Sequence, residues 1–271
     1  MTAPLPFATR SGYSSRMEIL EGRICILAAL EAKLREFREV LIGPQAKPEK
    51  TADILDAAKK AGVAVRRAAA EEIDRAAHGK SHGGLVAVVS PRPVLDAAGA
   101  LGLVDGLERL KGADAQVRPY LLVLDGVDDP RNFGDVLRTA DALGVHLVIV
   151  RRRAWDFDAT EVSRASSGAY ERIPLCRIDR EDGLLPELKK RGIRICGAVP
   201  RAQKTLWEAF LGGPVCLAIG GEKRGLSAAV RDHCERFVTI PMRGGASSLS
   251  LSHAAAILMG EVGRQRKAGR P

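Results

Sequence analysis

The chain has 271 residues, of which 46% are hydrophobic, 28% charged and only 4% aromatic. That balance excludes a mostly disordered chain, and the length calls for two domains rather than one. Lys and Arg number 42 against 33 Asp and Glu, and the net charge of +9 favours a polyanionic partner through counterion release without naming it. No apolar stretch approaches the roughly 18 to 20 residues of a membrane helix, and the opening segment to Arg16 is polar. The expectation is a cytoplasmic protein with no membrane association. The five cysteines (Cys25, Cys176, Cys196, Cys216 and Cys234) lack Cys-x-x-Cys spacing and read as buried thiols, and no metal is expected.

After the tail 1–16, residues 17–90 read as a small α/β unit. Leu27, Leu30, Leu34 and Phe37 recur at helical spacing, and Val40 to Ile42 follow as an extended run. A second helix carries Ile54, Leu55, Ala58 and Ala61 up to Gly62, where a helix would stop. Val63 to Val65 reads as a strand, Glu71 to Ala77 as a short helix and Leu85 to Val89 as the closing strand. Residues 91–117 hold Pro91, Pro93, Gly99, Gly102, Gly106 and Gly112, a linker pattern with room for a short helix through Val104, Leu107 and Leu110.

Residues 118–271 form the second domain. Tyr120 to Leu124 is the continuous apolar run of a buried parallel strand. A helix through Val136, Leu137, Ala140 and Leu143 leads to a strand at Val145 to Val150, completing a βαβ start. Later strands are expected at Arg194 to Val199, Val215 to Ile219 and Phe237 to Ile240, with a last helix from Ser252 to Gln265. This domain carries 25 basic and 18 acidic residues, so most of the excess charge lies here.

Three segments carry chemistry. In the first, Asp125-Gly-Val-Asp-Asp-Pro-Arg-Asn leaves a strand end and enters a helix, where open α/β sheets place their sites. Asn132 and Arg138 lie six apart there and converge on an oxyanion, or else Asn132 or Asp129 caps the helix and Arg138 is solvated. In the second, the strand before Gly220-Gly221-Glu222 ends in two glycines, so backbone can approach a ligand. Glu222 then binds a polar group, orients Arg138, or is a surface residue of a tight turn. In the third, Ile240-Pro-Met-Arg-Gly-Gly-Ala-Ser-Ser-Leu-Ser-Leu-Ser-His runs through a Gly-rich loop into a helix of small residues, with hydroxyls at Ser247, Ser248, Ser250 and Ser252 beside free helix-start amides.

Taken in order, Asp-Pro-x-Asn-x-Gly-x-x-x-Arg at 129–138, Gly-x-Glu-x-x-Gly-Leu at 220–226 and Ile-Pro-Met with Ser-Leu-x-x-Ser from 240 resemble the three motifs of the SpoU/TrmH family of RNA ribose 2′-O-methyltransferases. The amino-terminal unit is similar to the L30e-like substrate-binding domain of the bacterial 23S rRNA guanosine members. The resemblance implies a SPOUT α/β catalytic domain with a deep trefoil knot, S-adenosylmethionine as methyl donor, an RNA substrate and a homodimer through the last helix. It further implies cofactor contacts from Gly220, Gly221, Ile240, Met242 and Leu249. Arg138 takes the catalytic position, with Asn132, Glu222, Ser248 and Ser250 around it. The rRNA reading leads. A tRNA substrate, an antibiotic-resistance rRNA methyltransferase and an inactive RNA-binding relative remain as alternatives. The third motif commonly reads Ser-Leu-Asn-Val-Ser-Val, so Ser250 stands where the family has an amide and His253 where it has a small apolar residue.

Overall fold

The computed structural model describes residues 17–79, 82–113, 117–151, 157–178, 183–246 and 248–268, and they divide between Pro93 and Val94 into two units. The first unit runs β1 (Glu18–Glu21), α1 (Arg23–Ala32), β2 (Phe37–Ile42), α2 (Pro48–Ala61), β3 (Val65–Arg67), α3 (Ala70–Ala76) and β4 (Leu85–Val89). Its sheet has the order β1-β4-β2-β3, antiparallel except for the β2–β3 pair. Val40, Ile42, Leu85, Ala87 and Val89 pack one face against Ile26 and Leu30 of α1 and Ile54 and Ala58 of α2. Leu41 and Val86 meet Ile73 of α3 on the other.

The first helix differs from its expected face. Cys25, Ile26, Ala28, Ala29 and Leu30 are its buried residues. Lys33 ends it in the left-handed region at φ 54°, so Leu34 falls outside it and Phe37 opens β2. The strand wins because Phe37 pairs with Val89 of β4 in the ladder.

The second unit starts with α4 (Ala97–Ala113), inside the stretch expected as a linker. Leu103 and the fully buried Ala100 and Val104 join a core shared with the strands, and partly buried Leu107 packs against it. That i, i+4, i+7 stripe outweighs the roughly 1 kcal/mol that each helical glycine costs.

Then follow β5 (Tyr120–Asp125), α5 (Pro130–Ala142), β6 (Leu147–Arg151), α6 (Ala159–Ala165), α7 (Ala169–Arg172) and β7 (Leu175–Ile178). The chain continues through α8 (Leu184–Lys190), β8 (Arg194–Ala198), β9 (Lys204–Thr205), β10 (Val215–Gly220), α9 (Ala228–Arg231), β11 (Arg236–Thr239) and α10 (Leu251–Ala268). All seven strands are parallel, in the order β7-β6-β5-β10-β8-β11-β9.

Both faces of this sheet are covered. Leu122 and Leu124 of β5 point into a core with α5 and α10, and Leu121 and Val123 into the core with α4 and α8. Burial on both sides is why the strand reads as an unbroken apolar run. Cys25, Cys176, Cys196 and Cys216 are buried, Cys234 is partly so, and all five are free thiols. Sheet order sets β5 and β10 side by side, with Gly220 opposite Asp125, so the first two segments leave the same end of the sheet as neighbours.

Candidate active site

At the end of β5, the Asp125 carbonyl accepts the Gly221 N–H at 2.8 Å. The Asp125 carboxylate is buried and doubly engaged. Its Oδ1 takes Arg151 Nη1 at 3.1 Å and its Oδ2 takes the Ser227 N–H at 2.6 Å. This clamp joins the ends of β5 and β6 to the residue that starts α9.

Two glycines allow the strands to turn so closely. A Cβ on Gly220 would lie 2.0 Å from the Gly225 carbonyl carbon, and one on Gly221 would lie 2.0 Å from the Gly126 oxygen. No side chain fits either position.

Asp129 caps α5 by accepting the Asn132 N–H at 2.7 Å, which fixes Asn132 in the first turn. The Asn132 side chain then joins all three segments. Its Nδ2 donates to Glu222 Oε1 at 3.2 Å, and its Oδ1 accepts from the Ser252 hydroxyl at 2.9 Å. Glu222 Oε1 also accepts the Leu251 N–H at 2.9 Å, one of the free amides at the start of α10. Ser250 Oγ lies 3.2 Å from Ser252 Oγ and 2.6 Å from His253 Nδ1. The result is a continuous polar path from Glu222 through Asn132 and Ser252 to Ser250 and His253.

Beside this network lies a cavity of about 440 Å³. Gly220, Gly221, Ile240, Met242 and Leu249 all line it, as do Glu222 and Ser248. Its apolar wall is completed by Ile219, Leu251 and Leu258, and its mouth carries Lys223, Arg224 and Arg231. Asn132 and Ser250 are not in the lining; Asn132 bonds Glu222 directly and Ser250 connects to it through Ser252 and Asn132.

Of the two readings open for this segment, the structure has the one with Asp129 as the cap and Arg138 in solvent. It is exposed on α5, outside the cavity lining, and Glu222 takes Asn132 instead. Ser252, named with three other serines of the third segment but given no role, is the one whose hydroxyl reaches Asn132. Its signal was its position two residues into α10, where a hydroxyl can reach back to a neighbouring loop. Of Ala254, Ala255 and Ala256, Ala254 lines the cavity and Ala255 is buried in the core.

Residues 119–260 match the SpoU rRNA Methylase family, more than half of the chain. The chain belongs to the SpoU rRNA methylase family. Residues 19–95 match a second family, described as RNA 2′-O ribose methyltransferase substrate binding. The chain is 33% identical to the Escherichia coli K12 23S rRNA (guanosine-2′-O-)-methyltransferase RlmB, over 92% of this chain and 99% of that protein. Its fold is similar to that of the SpoU methyltransferase AviRb from Streptomyces viridochromogenes in complex with AdoMet. That likeness has a TM-score of 0.73 at 26% identity, covering 93% of this chain and 92% of the other. The Aquifex aeolicus TrmH/SpoU tRNA modifying enzyme covers only 61% of this chain, and 85% of its own, with a TM-score of 0.51 and 26% identity.

Proposed function

We infer that this protein is an S-adenosylmethionine-dependent methyltransferase that methylates a ribose 2′-hydroxyl in 23S rRNA. The observation that carries the site assignment is the joining of all three motif segments at one cavity by the Asn132, Glu222 and Ser252 hydrogen bonds. The rRNA assignment rests on the relative in E. coli, which matches along both units. The tRNA modifying enzyme leaves over a third of this chain uncovered, which favours rRNA over tRNA.

The cavity suits S-adenosylmethionine. It has the size of a small-molecule site, apolar walls for an adenine, and backbone brought close by glycines whose Cβ positions are already filled. Gly220, Gly221, Ile240, Met242 and Leu249 would hold it. When bound, it supplies a methyl group on a sulfonium, a carrier that needs no metal.

The chain's own groups then position the acceptor. Glu222 and Asn132 hold the loops in register, and Ser248 stands at the cavity wall toward the ribose. Ser250 caps α10 and shares its hydroxyl with His253, so it replaces the family amide as a positioning group. Arg138 binds the adjacent phosphate and stabilises developing alkoxide charge. A guanidinium is too weak a base to take the proton, which leaves to water or a neighbouring group.

The first unit is an L30e-like RNA-binding domain, and the second is the catalytic SPOUT domain with a trefoil knot. In support of the knot, β10 lies between β5 and β8 while the chain after β11 returns to bond Glu222 and Asn132. A cytoplasmic homodimer through the outer face of α10 accounts for Ile257, a large apolar residue 40% exposed on that helix. Among the described residues no helix is long and apolar enough to cross a membrane.

The test is transfer of labelled methyl from S-adenosylmethionine to total RNA, with the product mapped by resistance to alkaline cleavage. A single 2′-O-methyl position in 23S rRNA is expected. Label confined to tRNA, or no label at all, overturns the reading.

A further inference from the structure

We propose that Trp207 and Phe210 form a platform on which unpaired bases of the RNA substrate stack. The proposal rests on the methyltransferase reading for the identity of the ligand and adds a second contact region to it.

The sequence from Leu206 to Leu211 alternates in a way no catalytic role explains. Leu206, Ala209 and Leu211 are buried in the core beneath α10, while Trp207 and Phe210 are each 58% exposed. In a chain with only two tryptophans and six phenylalanines, a single turn presents two large rings to solvent.

That turn is held rigidly. The Glu208 carboxylate accepts both the Thr205 N–H at 2.7 Å and the Thr205 hydroxyl at 2.8 Å. Gln265 of α10 accepts the Leu211 N–H at 2.7 Å and donates to the Ala209 carbonyl at 2.9 Å. The Phe210 ring rests over Gly212 and Gly213, where a Cβ would touch it at 3.4 and 3.5 Å. Rigid aromatic surface costs little entropy on binding, which is what a stacking site needs.

Charge selects RNA as the occupant. The Arg194 guanidinium lies 5.6 Å from the Phe210 ring centroid, and Lys204 and Arg201 stand exposed just before the turn. Glu208, between the two rings in sequence, keeps its charge while its Oε2 accepts from Thr205, and the three cations outnumber it. Cations around exposed rings match a phosphate backbone with splayed bases. The turn is also tied to the cavity, because the Leu206 N–H donates to the carbonyl of Thr239, a lining residue, at 3.0 Å.

Trp207 reports on its own contact. In a Trp155→Phe background it is the sole indole, and a short oligouridylate is expected to quench its fluorescence saturably. An abasic ribose-phosphate oligomer of the same length should quench far less. Trp207→Ala or Phe210→Ala should weaken oligouridylate binding about tenfold, with Trp207→Phe restoring most of it. Equal quenching by the abasic oligomer overturns the proposal in favour of phosphate contact alone. Indole fluorescence that changes with protein concentration and no RNA overturns it in favour of a second copy of the chain. Calorimetric binding of S-adenosylmethionine separates the two readings: retained binding without stacking overturns the platform alone, and stacking without that binding overturns the methyltransferase reading.

Discussion

Asn132 and Glu222, ninety residues apart in sequence, meet at 3.2 Å through Nδ2 and Oε1. The same Glu222 oxygen takes the Leu251 N–H, so one carboxylate joins the loops after β5 and β10 to the start of α10. Glu222→Ala removes the acceptor of both donors. We expect methyl transfer to fall more than tenfold. The melting temperature should move by a few degrees at most, because Glu222 is exposed and its hydrogen bonds are solvent-screened. Transfer assays beside thermal melts check this, and loss of folding in the variant would contradict it.

Much of this site was legible because each segment pairs a buried strand with glycines and a capping residue, features set by local sequence. Which serine bonds Asn132 was not, since four serines at 247, 248, 250 and 252 precede or open the last helix and only the return of α10 to α5 selects one. Arg138 was left between convergence with Asn132 and exposure to solvent, because spacing alone does not say whether Asn132 lies in the loop or, as found, in the first turn of α5. The small strand β7 and the helices α6 and α7 lack a long apolar period. Their burial is conferred by α5 and β6, which no local pattern announces.

Arg138→Lys keeps the charge at this exposed position and removes the bidentate fork. On the proposed role, kcat falls at least tenfold while S-adenosylmethionine affinity is unchanged, since Arg138 lies outside the cavity lining. Single-turnover transfer and calorimetry provide the two readouts. A variant that turns over like the parent removes Arg138 from phosphate and alkoxide binding.

Gly221→Ala places a methyl group 2.0 Å from the Gly126 carbonyl oxygen, a backbone atom that cannot rotate aside. The loop must shift, at a cost of about 1–3 kcal/mol. Urea denaturation should register that loss, and S-adenosylmethionine binding should weaken more than tenfold. Gly244→Ala, with nothing near its Cβ, is the control and should leave stability unchanged.

His146 provides a pH dependence. Burial, and then the nearby Arg266 charge, hold its imidazole below the ordinary 6.5, and its Nδ1 accepts the Tyr120 N–H at 3.0 Å as a neutral ring. Above about pH 6.5 the ring is neutral in both folded and unfolded chains. Below it the unfolded chain takes up a proton that the folded ring refuses. Stability therefore falls as pH drops, by up to about 1.4 kcal/mol per unit, until the folded ring also titrates. Urea melts from pH 8 to 5 should show a steeper decline for the parent than for His146→Gln, and identical slopes would refute the assignment.

Arg151 and Asp125 form the buried pair behind the site, each less than a tenth exposed. Arg151→Met leaves the Asp125 carboxylate with the Ser227 N–H as its remaining bond from this clamp. An uncompensated buried charge costs about 3–5 kcal/mol, so the single variant should be strongly destabilised. Replacing both residues, Asp125→Leu with Arg151→Met, removes the charge along with its partner. The double variant should recover part of the lost stability, because well-packed apolar groups often match a buried pair. It should not recover methyl transfer, since the Ser227 N–H loses the carboxylate that sets the second loop against the first. Recovery of stability without activity separates a clamp that shapes the site from one that merely holds the fold together.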